Sequence, residues 1–220
     1  MITNLLESYS KNLETGKLQF NPQALGRFWF TLENFLGLME HTGFSQNKAK
    51  MLQKVNKQHF DGKEQKIYDF VAKDALSSGS FSVAQSFSLQ SSNSAIAIEI
   101  LEKWPEVGNP EERPWFVTRY ILLKLASEKY FDAKKIFEHF STGKSFEHAS
   151  ALHKILECIF KSIESKATEV FQALQVKFEP YAKRDPELGD LLDRVAQIYF
   201  GIIKQRQPNI MDMMSRMMGM

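Results

Sequence analysis

The chain has 220 residues, 43% of them hydrophobic, and its 28 basic and 26 acidic side chains leave a net charge of +2. This length suits one or two domains with a sizeable core, and the small net charge excludes a strong field for nucleic acid or anionic lipid. A single cysteine excludes an internal disulfide and fits a reducing compartment. The N-terminus lacks the pattern of a signal peptide, and no apolar run reaches the ~18–20 residues of a membrane span. We therefore expect a cytosolic protein.

Helical periodicity dominates the chain, and proline and glycine separate the periodic runs. We expect about a dozen helices, and those with clear limits cover residues 2–13, 22–39, 45–57, 63–77, 81–90, 93–104, 115–127, 130–140, 152–163, 167–178 and 186–200. A turn is expected at 105–110. The run at 115–127 is apolar on nearly every side, which predicts a central buried helix. Few alternating β-branched runs compete, so the predicted class is all-α.

The last of these helices has both of its ends marked in the sequence. Asp185 can cap it, and Pro186 suits the first helical position, where a missing N–H is no loss. Gly201 can end it in a left-handed conformation. Its apolar face comprises Leu188, Leu191, Leu192, Val195, Ile198 and Tyr199.

A weak internal repeat favours an α-solenoid of stacked antiparallel helix pairs over a bundle. At several turns an alanine is followed three or four residues later by a phenylalanine, as degenerate tetratricopeptide-like repeats require where helices cross closely. These pairs are Ala84 with Phe87, Ala133 with Phe137, and Ala167 with Phe171. Ordinary helix packing explains any one of these alanines equally well. We predict one solenoid domain over residues 1–202 and a methionine-rich short helix or tail over 203–220.

No catalytic, cofactor or metal site is predicted. The histidines have no metal-ligand spacing, and Cys158 lies in a strongly amphipathic run with no base placed near it, which is typical of an inert buried thiol. Gly143-Lys144-Ser145 looks like the end of a phosphate-binding loop but lacks the earlier glycine and the strand. An enzyme is therefore the least favoured class.

Two further segments each allow two interpretations. The lysines between Lys48 and Lys66 form either a solvated helix face or a patch for RNA or an acidic protein, and the solvated face is favoured. Six methionines crowd the segment 209–220. Methionine adapts to varied apolar partners. The segment therefore contacts hydrophobic clients directly or forms a last helix that docks on its own scaffold or on a fixed partner, and docking is favoured.

The C-terminal quarter resembles one known family. Tyr-x-x-Arg-Asp-Pro at 181–186, Leu-Asp-Arg at 192–194 and Tyr-Phe-Gly at 199–201 match the Golgi to ER traffic protein 4 family, the scaffold subunit of tail-anchored protein targeting. Residues 66–104 look like the central helices of that family, and 115–140 like the following pair. The helices before residue 57 align more loosely.

The resemblance implies an α-solenoid that acts in the cytosol as a non-catalytic bridge. In the family, the C-terminal half holds a ubiquitin-like partner subunit, and the N-terminal end docks the ATPase that carries tail-anchored proteins to the ER. This sequence is short at its front, where the family's first helix pairs supply much of the ATPase-docking surface. Those pairs are lost or the chain is truncated, so the partner-subunit role carries over better than the ATPase role. No direct membrane insertion is implied.

A solenoid offers grooves between helix pairs in which a partner can lay an amphipathic helix. The region 146–194 is richest in aromatic residues beside charge, and we expect the partner-binding groove there. The candidate contact residues are Phe146, Phe160, Tyr181, Arg184 and Arg194. Packing within the core or between helices is the alternative role for each of them. A generic helical-repeat adaptor of another complex is the alternative function.

Overall fold

The computed structural model describes residues 36–37, 39, 43–107, 110–142 and 150–203. The chain divides into two compact units, residues 1–45 and 46–220. The helices expected at 2–13 and 22–39 lie almost wholly outside the described residues. The predicted boundary at residue 202 stays a prediction.

The described part of the second unit contains nine α-helices. They are α1 Gln46–Phe60, α2 Gln65–Ser77, α3 Phe81–Gln90, α4 Ser94–Val107, α5 Arg113–Ala126, α6 Tyr130–Ser141, α7 Ser150–Ser165, α8 Thr168–Arg184 and α9 Pro186–Phe200. A 3₁₀ turn, Pro110–Glu112, precedes α5. No strand occurs among the residues described, so the all-α prediction is confirmed. Consecutive helices pack as pairs in α2–α3, α5–α6 and α8–α9, and the fold is a helical repeat solenoid.

Two prolines lie inside helices that were expected to end before them. The turn expected at 105–110 is wrong in its first part, because α4 runs through Pro105 to Val107. Pro105 has no N–H to donate to the Leu101 carbonyl, so α4 continues through it with one main-chain hydrogen bond fewer. Similarly, α8 continues through Pro180 to Arg184. The carbonyl that loses its partner there belongs to Val176, an exposed residue, so water can satisfy it.

The central helix is α5, as its apolar sequence predicts. It packs against α4, α6, α7 and α9. Five of its side chains are fully buried apolar or aromatic groups: Val117, Tyr120, Ile121, Leu122 and Leu125. One hydrophobic core extends from α4 to α9 around them. The alanines expected at helix crossings differ in burial. Ala84 and Ala133 are fully buried, whereas Ala167, the residue before α8, is half-buried.

Helix α9 returns to α5 and runs parallel to it. Near the start of α9, Asp185 pairs with Arg119 of α5, and further along Arg194 Nε donates to the Ala126 carbonyl at the end of α5, at 3.2 Å. Repeats of an ideal solenoid contact only their neighbours. The contact between α5 and α9 is therefore an interaction that the stacking of neighbouring pairs alone does not provide.

Both ends of α9 form as predicted. The Asp185 carboxylate accepts a hydrogen bond from the Glu187 N–H at 3.2 Å, and Pro186 occupies the first turn. Gly201 has φ +68°, a left-handed conformation that glycine adopts without strain. Asp185 and Pro186 fix where α9 begins, and therefore where the corner between α8 and α9 lies, and Gly201 fixes where α9 ends.

Candidate partner-binding cleft at the α8–α9 corner

An aromatic–arginine cluster lies where α8 ends beside the first turn of α5. Pro114 in that first turn is followed by Trp115, a half-buried residue. The Tyr181 ring centre lies 5.8 Å from the Trp115 ring, and the Arg184 guanidinium lies 4.4 Å from the centre of that ring. Tyr181 and Arg184 are three residues apart on α8 and so share one face of the helix. Trp115 therefore brings together two of the predicted contact residues.

Ionic contacts hold the corner in place. Arg119 of α5 pairs with Asp185 and, at 3.4 Å, with Glu187. The Arg119 and Asp185 side chains are only 31% and 17% exposed, so water screens this pair less than a fully exposed one. Asp185 thus caps α9 and anchors it to α5 at the same time.

A cleft of about 360 Å³ opens at this corner. Its lining residues are Glu112, Trp115, Phe116, Arg119, Arg184, Asp185 and Pro186. From the cleft a row of rings continues across α4 to α3. Trp104 lies 5.4 Å from Phe116 and stacks at 6.0 Å on Phe81.

The charges in the cleft have different surroundings. Arg119 is engaged by two carboxylates, whereas Arg184 is exposed and has no carboxylate partner among the residues that the structure describes. A guanidinium stacked on an indole keeps its N–H donors available for a carboxylate. The described lining contains no serine, cysteine, histidine or lysine. Such a surface can hold a peptide segment that carries an acidic side chain beside an apolar one.

Comparison with known proteins decides the family. A family model described as GET4: Golgi to ER traffic protein 4 matches residues 3–218. The chain belongs to the Golgi to ER traffic protein 4 family. This is a family of helical scaffold proteins and is not a known enzyme family.

Individual relatives agree with this assignment. The chain is similar to the Golgi to ER traffic protein 4 homolog of Dictyostelium discoideum, with 27% identity over 121 residues, which are 55% of this chain and 39% of that protein. It is also similar to the homolog of Oryzias latipes, with 25% identity over 115 residues, which are 50% of this chain and 36% of that protein. The matched segments thus span less than half of each relative.

A solved structure supports the fold. The crystal structure of C. therm. Get4 superposes with a TM-score of 0.73 at 16% identity and covers 100% of this chain and 75% of that one. At this identity the likeness shows the fold alone. The α-solenoid predicted for a Golgi to ER traffic protein 4 family member is therefore confirmed.

The other predicted contact residues lie elsewhere or outside the described part. Phe160 is 4% exposed, and its ring packs 5.0 Å from that of Phe137 and 5.8 Å from that of Tyr130. The packing alternative therefore holds for Phe160. Arg194 lies at the opposite end of α5, and Phe146 lies outside the described residues.

Sequence reasoning missed Trp115 and Arg119 as members of this site. Both belong to the central helix, and their partners at the α8–α9 corner are distant in sequence. No local spacing links an α5 residue to Arg184 or Asp185, so a single sequence carries no signal for the pairing.

The lysines between Lys48 and Lys66 differ in their exposure to water. Lys50, Lys54 and Lys57 of α1 are exposed, as a solvated face requires. Lys48 is buried instead, and its ammonium pairs with Asp74 at 2.8 Å. Lys48 therefore does not belong to the exposed face.

A second charged cluster is buried between α3 and α5. Lys124 is fully buried, and its Nζ donates to the main-chain carbonyls of Ser88 at 2.9 Å and Ser91 at 2.6 Å. Burial lowers the pKa of Lys124 to about 8. The Tyr120 hydroxyl lies 2.8 Å from that of Ser88, and burial raises the Tyr120 pKa far above its usual value. These groups fasten the C-terminal end of α3 to the central helix.

Two further results concern the described residues. None of their helices is both long and apolar enough to cross a membrane. Cys158 is half-buried in α7 and forms no disulfide.

Proposed function

We propose that this chain is a non-catalytic cytosolic scaffold that bridges a ubiquitin-like partner subunit and the targeting ATPase for delivery of tail-anchored membrane proteins to the ER. Membership of the Golgi to ER traffic protein 4 family supports the pathway. The paired helices support the scaffold, because stacked pairs present long surfaces for partner segments.

The partner subunit docks, in this proposal, at the corner cleft. The observation that carries it is the Arg184 guanidinium, which lies exposed on the Trp115 ring with no carboxylate partner in the described structure. Aromatic and arginine side chains dominate the energetics of protein interfaces. Trp115, Tyr181 and Arg184 form the contact set, and the partner supplies an acidic side chain beside an apolar one.

Charge reversal at Arg184 tests this docking mode. Arg184→Glu should weaken binding of the source organism's ubiquitin-like subunit by about tenfold or more, because it places two like charges in contact. Lys183→Glu is the matched control, since Lys183 is the neighbouring residue and undergoes the same change of charge. Its ammonium pairs with Glu179, one turn earlier on α8, and its side chain is 74% exposed. Isothermal titration calorimetry measures both affinities, and circular dichroism checks that both variants keep the wild-type helicity.

Two different outcomes distinguish a wrong docking site from a wrong function. Equal affinities of the Arg184→Glu and Lys183→Glu variants would overturn the cleft while leaving the scaffold in place. A wild-type chain that binds neither the ubiquitin-like subunit nor the ATPase would overturn the proposed function and favour a generic adaptor of another complex.

A further inference from the structure

The last helix pair carries a second groove, which shares no lining residue with the corner cleft. This outer groove of about 350 Å³ runs between α8 and α9. Phe178 and Leu192, 1% and 3% exposed, lie at its base. Val176 also lines the groove and is 70% exposed, so it presents an apolar side chain to water. The outer groove therefore offers apolar surface to a partner.

Contacts between the two helices define how the walls of the groove are aligned. A Cβ atom at Gly189 would lie 3.1 Å from the Ala182 Cβ, so the helices approach closely at that point. About two turns earlier on α8, the Gln175 side chain donates to the Asp193 carboxylate of α9 at 3.2 Å. Glu179 lies on α8 between these two contacts. The groove therefore has a carboxylate on each wall, about one helical turn apart.

The charged lining of the outer groove is acidic. Glu179 and Asp193 are its charged members, and the described lining contains no lysine, arginine or histidine. Lys183, outside the lining, pairs with Glu179 at 2.9 Å, but the two side chains are 74% and 60% exposed, and such a pair contributes little stability. Asp193 is half-buried and accepts from Gln175, a neutral donor. A cation in the groove would meet carboxylates on both walls.

The two carboxylates determine which partner fits. A purely apolar partner would remove Glu179 and Asp193 from water without replacing the lost hydrogen bonds, which is costly. A second copy of the chain, related by a twofold axis, would bring the same carboxylates face to face. A segment with lysine or arginine beside its apolar side chains forms charge-assisted hydrogen bonds with the carboxylates and covers Val176 at the same time.

The dimensions of the groove suit a helix of about three turns. Residues 172–182 of α8 line it over roughly 15 Å. Amphipathic helices bind such grooves through apolar side chains spaced three or four residues apart. We propose that the outer groove binds an amphipathic helix of a partner protein, with lysine or arginine beside its apolar face. This inference goes beyond the proposed function, because the corner cleft takes a segment of the opposite charge.

Two synthetic peptides test the charge of the partner. Both have about 18 residues and leucine along one helical face, and they carry either lysine or glutamate at every position that flanks this face. The full chain carries Arg184→Ala in this comparison, so that the corner cleft does not hold the glutamate peptide. Fluorescence anisotropy should show at least about tenfold tighter binding of the lysine peptide. Equal affinities, or no binding of the lysine peptide, would overturn the proposal.

A substitution on the α8 wall tests the location. Val176→Lys should weaken binding of the lysine peptide by about tenfold or more, because it replaces an apolar contact with a like charge. Val170→Lys is the matched control on the same helix, since Val170 is 51% exposed but does not line the groove. Circular dichroism checks that both variants keep the wild-type helicity. Equal affinities of the two variants would place the peptide elsewhere and overturn the proposal.

A matched pair of substitutions on α9 tests the role of the carboxylate. Asp193→Asn should weaken binding of the lysine peptide by about threefold or more, because asparagine keeps the shape and removes the charge. Asp190→Asn is the control, since Asp190 is an exposed residue of the same helix that does not line the groove. The difference should shrink at high salt. Equal affinities of the two variants at low salt would contradict recognition by charge.

Discussion

Lys124 is a charged residue in the middle of the hydrophobic core. Its ammonium donates to carbonyl oxygens at the C-terminal end of α3, where the last helical carbonyls have no partner within the helix. A cation there also interacts favourably with the helix dipole. Lys129 donates to Gln90 and Ser91 at the same helix end. The two lysines therefore act as a side-chain cap for α3.

Replacing Lys124 by methionine should lower the free energy of unfolding by about 3 kcal/mol, because the carbonyls of α3 would stay buried without donors. Lys103→Met is the control, since the Lys103 side chain is 53% exposed and pairs with Glu99 one turn earlier on the same helix. Urea unfolding followed by circular dichroism measures both variants. A Lys124→Met protein as stable as Lys103→Met would refute the capping role.

The same lysine makes stability depend on pH. Burial lowers the pKa of Lys124 from its usual value of 10.5 to about 8 in the folded state, and repulsion from Lys129 adds to this while Asp69 and Asp132 oppose it. Between these two pKa values the unfolded chain binds more protons, so raising the pH stabilises the folded chain. The stability difference between wild type and Lys124→Met should therefore grow between about pH 7 and about pH 9.5. Parallel stability curves over this range would contradict the assignment.

Residue-scale features differ in how far the sequence predicts them. Asp185 and Gly201 act on the chain beside them, so their roles could be predicted and are confirmed. The buried positions of Lys48 and Lys124 depend on helices far away in sequence, and lysine is usually exposed. Phe160 shows the same limit, since an aromatic residue beside charges has the same local pattern in a core as on a binding surface.

At the scale of elements, a local and a distant contact agree on where α9 begins. The Asp185 carboxylate accepts hydrogen bonds from the Glu187 N–H and from Arg119. Without the Asp185 cap the start of α9 should shift, and without the Asp185 charge α9 should be held less strongly to α5.

Two substitutions separate these contributions. Asp185→Ala removes both and should lower the free energy of unfolding by about 2 kcal/mol. Asp185→Asn keeps an acceptor for the cap and loses the ionic contact, so it should lose about half as much, because asparagine caps helices as well as aspartate does. Chemical denaturation of the three proteins measures the difference. Equal losses for alanine and asparagine would show that capping contributes nothing here.

Helix limits were least predictable at the two internal prolines. A proline usually ends a helix at the residue before it, which is why a turn was expected from residue 105. Whether a helix tolerates the missing hydrogen bond depends on whether the freed carbonyl finds another partner. At Pro180 that carbonyl belongs to the exposed Val176, so water can satisfy it. The local sequence does not show whether such a carbonyl is exposed.

At the scale of the whole molecule, the α5–α9 contact brings together the two sides of the corner cleft. Trp115 and Arg119 belong to the central helix, and Arg184 and Asp185 belong to the last pair. The cleft exists because α9 returns to α5. Family resemblance predicted the solenoid and a C-terminal binding region, but a solenoid of neighbouring repeats alone does not predict this closure. Only the three-dimensional structure shows that Tyr181 and Arg184 contact Trp115.

The proposed function requires this chain to connect two proteins. Light scattering coupled to size-exclusion chromatography, on an equimolar mixture of this chain with the source organism's ubiquitin-like subunit and targeting ATPase, tests it most directly. We predict one peak that contains all three proteins, and the ATPase and the ubiquitin-like subunit should elute separately when this chain is omitted. Elution of this chain alone, or with only one of the two proteins at a time, would contradict the bridge.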